Sequence, residues 1–149
     1  MRAVVQRVSA CHVNVDGETV AAIEKGLCVL IGLTHADTEK DLDYILDKVV
    51  NLRIFSDEND KMNLSVKDVG GSVLYVSQFT LYGDARGGRR PSFVQALAFD
   101  QAEVLYRRFR QKAAQSGVPS SFGRYGADME VTIVNDGPVT LLLDSGKLF

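Results

Sequence analysis

The sequence has no tryptophan and only two cysteines and two histidines, which removes several classes of site. Cys11 and Cys28 are too few for a disulfide framework, and their places in predicted strands favour small buried residues over redox or nucleophilic thiols. His12 and His35 lack the spacing and partners of a known metal site, so we expect no metal. No apolar run approaches the roughly 18 to 20 residues of a membrane helix. The first nine residues include arginines where a secretory signal would be apolar. We therefore expect a cytoplasmic protein with no membrane contact.

The chain also lacks a strong overall charge, with a formal net charge of -2. Its charges are nevertheless unevenly distributed. Residues 1–68 carry 8 basic and 12 acidic side chains, whereas residues 82–124 carry 8 basic and 3 acidic ones. A local basic face can bind a phosphate backbone even on a weakly acidic protein, because salt screens distant charges. A solvated helix face together with an exposed loop remains the alternative interpretation.

The hydrophobic pattern predicts one domain over residues 1–149, without repeats or linkers. We expect a mixed, largely antiparallel sheet curled toward a barrel, with two helices. The pattern does not decide between the α/β and α+β classes. The predicted elements are a hairpin turning at Asp16-Gly17, a covered strand at 27–33, a helix at 37–50, a short strand at 54–55 with a polar loop at 56–61, a strand at 72–81, an exposed loop at 82–92, a helix at 100–116, a strand at 129–133, a turn at 135–138 and a last strand at 139–143.

No familiar set of catalytic side chains is present. Ser77 lies in no Gly-x-Ser-x-Gly turn, no cysteine and histidine have a catalytic spacing, and neither helix carries a His-Glu-x-x-His motif. The composition of two segments, residues 77–81 and 135–140, is unusual for a purely structural role. Backbone amides at a strand end can point at a ligand and stabilise negative charge without a titrating side chain. The alternatives are a strand with a polar exposed face for the first segment and an ordinary β-turn for the second.

Five segments of the chain form recognisable motifs. They are MRAVVQRV at 1–8, SQFTL at 77–81, GRRPSF at 88–93, the segment 123–129 and NDGPVT at 135–140. Together they resemble the D-aminoacyl-tRNA deacylase family, because they occur in that family's order over the whole chain and need no large insertion.

The resemblance implies a deacylase-like fold and a homodimer that hydrolyses the ester of D-aminoacyl-tRNA without a cofactor. Glycyl-tRNA mischarged on tRNA-Ala is an implied second substrate, and the reaction is a chiral proofreading step in translation. Ser77, Gln78, Phe79 and Thr80 would line the pocket for the terminal adenosine, with backbone amides near Phe79 and Thr80 polarising the ester carbonyl. The resemblance favours activation of water by the free ribose hydroxyl, with Thr80 as nucleophile the alternative.

The resemblance also implies that Gly137 and Pro138 form a cis dipeptide that enters the partner subunit's site and excludes L-residues sterically. Arg7 would hold this dipeptide in place. Tyr125 stands where the family commonly has phenylalanine, and it would line the pocket with Met129, for which a plain core position is the alternative. The residues that would meet tRNA phosphates at the acceptor end are Arg86, Arg89, Arg90, Arg107 and Arg108.

Two other functions fit the same sequence. One is a non-catalytic module that binds an RNA end through the basic segment, and the other is a structural dimerisation domain. Hydrolysis of D-aminoacyl-tRNA by the purified protein separates the enzyme from both.

Overall fold

A computed structural model describes residues 1–149 as eight strands, two helices and one short 3-10 helix, which we call the 3-10 turn. The elements are β1 (Arg2–Val15), β2 (Glu18–Ile23), β3 (Gly26–Gly32), α1 (Glu39–Asn51), β4 (Phe55–Ser56), β5 (Met62–Leu64), β6 (Ser72–Ser77), the 3-10 turn (Phe79–Tyr82), α2 (Phe99–Ala114), β7 (Ser120–Phe122) and β8 (Glu130–Asp144).

The long strand β1 organises the main sheet. β8 runs antiparallel along almost the whole of β1, while β2 and β3 pair antiparallel with its C-terminal and N-terminal parts. β3 then pairs in parallel with β6, and β6 with β7. Because β2 approaches β6 and β7, the sheet is nearly closed. The mixed, barrel-like sheet with two helices is confirmed, and it belongs to the α+β class.

Each face of the sheet covers its own apolar core. The larger core lies under the helices, where a fully buried aliphatic or aromatic side chain contributes roughly 1.5 to 3 kcal/mol. Its central members include Val5, Val29, Ile45, Tyr75 and Phe109. The smaller core fills the interior of the curled sheet and includes Val8, Cys11, Val13, Cys28 and Leu74. Both cysteines are buried and unpaired, as predicted.

The helices form where the sequence predicts them. At the start of α1 the Asp41 carboxylate accepts hydrogen bonds from the backbone N–H and the hydroxyl of Thr38, at 2.8 and 2.9 Å. In α2 the buried side chains are Ala102, Tyr106, Phe109 and Ala113, whereas Val104 is 46% exposed. Tyrosine carries a long apolar body, so Tyr106 fills a core position despite its polar end. Neither helix is long and apolar enough to cross a membrane.

The strand predictions need three corrections. The strands predicted at 129–133 and 139–143 form one strand, β8, which begins at Glu130, so residues 135–138 lie in a bulge inside it and not in a turn between two strands. The strand predicted over 72–81 ends at Ser77, and the 3-10 turn replaces its last part. The short strands β5 and β7 were not predicted, because three residues carry too little periodicity to detect.

Candidate active site

The junction between β6 and the 3-10 turn exposes two backbone donors. Gln78 is anchored to the sheet by its backbone N–H, which donates to the Ile31 carbonyl at 2.6 Å. The turn starts at Phe79, and the first internal bond of the turn runs from the Leu81 N–H to the Gln78 carbonyl at 3.3 Å. The amides of Phe79 and Thr80 therefore have no acceptor inside the turn, since an i+3 pattern begins with Leu81.

Gly32 lets this turn lie close against β3. A Cβ at this position would be 3.0 Å from the Leu81 Cβ and 3.1 Å from the Gln78 carbonyl oxygen. Such distances are too short for a side chain without movement of the turn. The glycine that ends β3 therefore determines how closely the two donors approach the sheet.

A mostly apolar cavity of about 530 Å³ opens beside these donors. This volume lies in the range of small-molecule sites. Five of the residues predicted for the site line the cavity, namely Ser77, Gln78, Phe79, Tyr125 and Met129. The other lining residues come mainly from β3, from the start of α2 and from the segment 126–131, and include Ile31, Leu97, Phe99, Tyr106, Asp128 and Val131.

Thr80 lies beside the cavity and not in its lining. The Gln78 side-chain amide donates to the Thr80 hydroxyl oxygen. With its oxygen accepting this bond, the Thr80 hydroxyl keeps its proton available for donation to a ligand. No histidine or carboxylate bonds to the hydroxyl, so the arrangement lacks the base that normally activates such a nucleophile.

Tyr125 forms one wall of the cavity together with Phe99. The Tyr125 hydroxyl donates to the Phe99 carbonyl at 2.8 Å, and the two ring centroids are 5.0 Å apart. Partial burial raises the pKa of Tyr125, with Glu103 and Asp100 adding to the effect. The extra hydroxyl relative to phenylalanine thus has an internal partner and ties the segment after β7 to the start of α2.

Phe99 and Asp128 are the most notable of the lining residues that the sequence did not predict. Phe99 is 60% exposed and begins α2, outside the apolar stripe that revealed the helix. Asp128 is the only carboxylate among the lining residues. A lone aspartate in a polar loop carries no signal in the sequence, because only the fold brings it to the cavity.

The Gly137–Pro138 peptide is cis and lies on the exposed bulge of β8. Arg7, which is 9% exposed, reaches this bulge from β1. The Arg7 Nε donates to the Asp136 carbonyl at 3.1 Å and lies 3.2 Å from the Asp136 carboxylate. The Arg7 Nη1 donates to the Ile54 carbonyl at 2.6 Å. Arg7 therefore links the bulge to the body of the protein, although neither Arg7 nor the dipeptide lines the cavity of the same chain.

The strand register shows how far the bulge lies from that cavity. The bulge faces Arg7, because the pairs flanking it are Gln6 with Thr140 and Val8 with Asn135. Ser77, which ends β6 two residues before Phe79, is aligned through β3 with Ala3. Four residues along a strand correspond to about 13 Å, and three strand spacings between β8 and β6 add about 14 Å sideways. The bulge is thus remote from the Phe79 amide of its own chain.

The predicted tRNA-binding arginines lie on two elements. Arg86, Arg89 and Arg90 project from an exposed loop closed by two hydrogen bonds of 2.8 Å between the backbones of Asp84 and Ser92. The Arg86 guanidinium bonds to the Asp84 carboxylate and holds the pKa of that carboxyl well below its usual range. Arg89 and Arg90 form no ion pair.

The two predicted tRNA-binding arginines on α2 are partly neutralised. Arg108 pairs with Glu39 of α1 at 2.9 Å, and Arg107 lies 4.0 Å from Glu103. Their cations therefore have local partners, unlike Arg89 and Arg90 of the loop. No group of three or more histidine, cysteine, aspartate or glutamate side chains is placed to hold a metal ion.

Comparison with known proteins agrees with the motifs. A model of the D-Tyr-tRNA(Tyr) deacylase family matches residues 4–144. The chain is 58% identical to a D-aminoacyl-tRNA deacylase of Clostridioides difficile (strain 630) and 57% identical to one of Clostridium botulinum (strain Eklund 17B / Type B). Both alignments span 149 residues and cover 100% of each protein.

Solved structures share the fold. A c-Myc DNA unwinding element binding protein is 43% identical, with a TM-score of 0.92 over 97% of this chain and 98% of that chain. A probable eukaryotic D-amino acid tRNA deacylase, 19% identical, has a TM-score of 0.79 over 95% of this chain and 97% of that chain, which shows likeness of fold alone. Because the family model and the full-length relatives agree, the chain belongs to the D-aminoacyl-tRNA deacylase family.

Proposed function

We propose that this chain is an ester hydrolase that removes D-amino acids from tRNA, as a chiral proofreading step of translation in the cytoplasm. The observation that carries the proposal is the pair of unbonded amides at Phe79 and Thr80 beside an apolar cavity. Family membership supplies the substrate, since the relatives at 57 and 58% identity are named D-aminoacyl-tRNA deacylases. Water is the only second reactant, and the proposal assigns no cofactor to the reaction.

In this proposal the terminal adenosine of the tRNA occupies the cavity, and the ester carbonyl faces the Phe79 and Thr80 amides. Two amide donors stabilise the oxyanion that forms when water attacks, and losing one such donor typically costs about 100- to 1,000-fold in rate. The free ribose hydroxyl of the adenosine helps to activate the water. Ser77 and Gln78 shape the cavity entrance, and the Thr80 hydroxyl donates a hydrogen bond.

The selection of D-residues is assigned to Gly137 and Pro138 of a partner subunit in a homodimer. Their exposure, their anchoring by Arg7 and their distance from the cavity of their own chain support this assignment. The two carbonyls form a wall that an L-side chain would strike, while a D-residue or glycine presents only hydrogen there. Glycyl-tRNA mischarged on tRNA-Ala is then a second substrate.

The remaining contacts with the tRNA are assigned to the cavity walls and to the basic surface. Tyr125 and Met129 form apolar walls for the adenosine. Phosphates of the acceptor end meet the basic side chains, with the loop contributing most because Arg89 and Arg90 lack acidic partners. The basic residues of this surface are Arg86, Arg89, Arg90, Arg107 and Arg108.

Two substitutions of Phe79 test the role of its amide. Proline has no N–H but is well tolerated at the first position of a helix, and Gln78 before it, at φ -146° and ψ 86°, lies outside the α region that a residue preceding proline avoids. Phe79→Pro therefore removes the donor, whereas Phe79→Ala removes the ring and keeps the donor. We expect kcat on D-Tyr-tRNA to fall about 100- to 1,000-fold more in Phe79→Pro. Equal rates in the two variants would contradict the proposal.

A second test separates the enzyme from its rivals. The purified protein should cleave D-Tyr-tRNA and glycyl-tRNA faster than L-Tyr-tRNA, and a variant with Gly137→Ala and Pro138→Ala that still dimerises should lose this preference and cleave L-Tyr-tRNA as well. Salt-dependent tRNA binding without cleavage would favour the binding module, and neither activity would leave the structural role.

Asp128→Asn tests whether the one carboxylate of the cavity acts as a general base. Loss of a general base typically lowers kcat about 100- to 10,000-fold. Because the proposal gives Asp128 no such role, we expect kcat to fall less than about 10-fold.

A further inference from the structure

The 3-10 turn has little means of holding its own position. It comprises four residues, and a turn of this length has few internal hydrogen bonds. Its first end is fixed by the bond from the Gln78 N–H to the Ile31 carbonyl. The geometry of the Phe79 and Thr80 amides therefore depends on what holds the other end, at Leu81 and Tyr82.

Arg2 holds that other end from outside the cavity. The Arg2 Nη1 donates to the Leu81 carbonyl at 3.1 Å. The Arg2 guanidinium carbon also lies 4.5 Å from the centroid of the Tyr82 ring. A cation over an aromatic face contributes about 0.5 to 2 kcal/mol, depending on desolvation. One side chain thus contacts both the backbone and the side chain at the end of the turn.

The Arg2 guanidinium is itself held by an anchor in β8. The Arg2 Nε donates to the Asp144 carboxylate at 3.0 Å, and that aspartate is buried. Asp144 pairs with Arg2 in the register of β8 and β1, so the sheet sets the position of the carboxylate. The order of contacts runs from the rigid sheet to Asp144, then to Arg2, and then to the turn.

We propose that Arg2 is a positioning residue for hydrolysis, which keeps the Phe79 and Thr80 amides aimed at the ester through its contacts with Leu81 and Tyr82. Arg2 is absent from the cavity lining and touches no part of the space assigned to substrate. Its loss should therefore impair the chemical step and leave tRNA binding intact. The inference rests on the proposed function for its kinetic consequence only, because the placement of the turn is measurable without substrate.

The experiment compares Arg2→Met, Arg2→Lys and Asp144→Asn with the unaltered protein on D-Tyr-tRNA. We expect Arg2→Met to lower kcat about 10- to 100-fold, the cost of a small misplacement of catalytic groups, while KM changes less than about 2-fold. Arg2→Lys should recover part of the loss, because an ammonium can donate to Leu81 or Asp144 but not span both. Arg53→Met is the matched control, since this exposed arginine also donates to a backbone carbonyl, that of Asn63, at 2.8 Å.

Backbone amide spectra provide the readout that does not depend on activity. The signals of Phe79, Thr80 and Leu81 should shift or broaden in Arg2→Met and remain in place in Arg53→Met. Unchanged amide signals, or a loss that appears in KM and not in kcat, would overturn the role of Arg2. If the unaltered protein cleaves no aminoacyl-tRNA, the proposed function fails, whereas the spectra still decide whether Arg2 positions the turn.

Discussion

Replacing Arg7 by methionine should both destabilise the protein and weaken its discrimination between D- and L-residues. Methionine keeps most of the apolar stem but removes the donors to the Asp136 and Ile54 carbonyls. A hydrogen bond from a charged group is worth about 1.5 to 3 kcal/mol. The Asp136 carboxylate is 48% exposed, so its ion pair adds less than about 1 kcal/mol. Because methionine retains the contacts of the stem, we expect the free energy of unfolding to fall by about 3 kcal/mol.

This loss corresponds to a fall in Tm of roughly 6 to 12 °C for a chain of this size. Calorimetry measures that fall, with Arg53→Met as the control that removes an exposed arginine bond to a carbonyl. In cleavage assays the rate on D-Tyr-tRNA should fall relative to that on L-Tyr-tRNA, because the wall at Gly137 is no longer held. An unchanged Tm together with an unchanged ratio of the two rates would refute the reasoning.

Three further predictions concern other parts of the site. Thr80→Val should lower kcat by about 10-fold as a lost hydrogen bond does, and a loss beyond about 10,000-fold would instead indicate a nucleophile. Tyr125→Phe should lower the free energy of unfolding in urea by about 1 kcal/mol through loss of the bond to the Phe99 carbonyl, and no change would show that bond to be unimportant. Reversing the charges at Arg89 and Arg90 should weaken tRNA binding. It should also reduce the slope of log affinity against log salt concentration by about 1 for each lost phosphate contact, and an unchanged slope would place the RNA elsewhere.

The sequence predicts the fold wherever a regular pattern extends over several turns or residues. The helical stripe from Leu42 to Val49 is of this kind, and α1 forms close to its predicted bounds of 37–50. The predicted hairpin turn at Asp16-Gly17 likewise forms, between β1 and β2. The bulge at residues 135–138 was mistaken for a turn, because glycine and proline occur in both and only the pairing with β1 distinguishes them.

The candidate site is less accessible to prediction from sequence. Motifs located residues 77–80, but the 3-10 turn that exposes their amides has no periodic signal. Phe99 and Asp128 reach the cavity from separate elements, which local patterns do not bring together. The contact between Arg2 and Leu81 likewise joins residues 79 positions apart, so it becomes visible only in three dimensions.

The central claim is that one subunit supplies the wall for the other subunit's amides, and a mixed dimer tests it most directly. One chain carries Phe79→Pro and the other carries Gly137→Ala with Pro138→Ala, and two affinity tags isolate the heterodimer. Each homodimer has two altered sites, whereas the heterodimer has one site with both parts intact if the wall acts across the interface. The account predicts about half of the unaltered dimer's rate on D-Tyr-tRNA and no gain in the rate on L-Tyr-tRNA, since the one active site keeps its wall. A heterodimer that cleaves L-Tyr-tRNA at about half the rate of the Gly137→Ala, Pro138→Ala homodimer would contradict it.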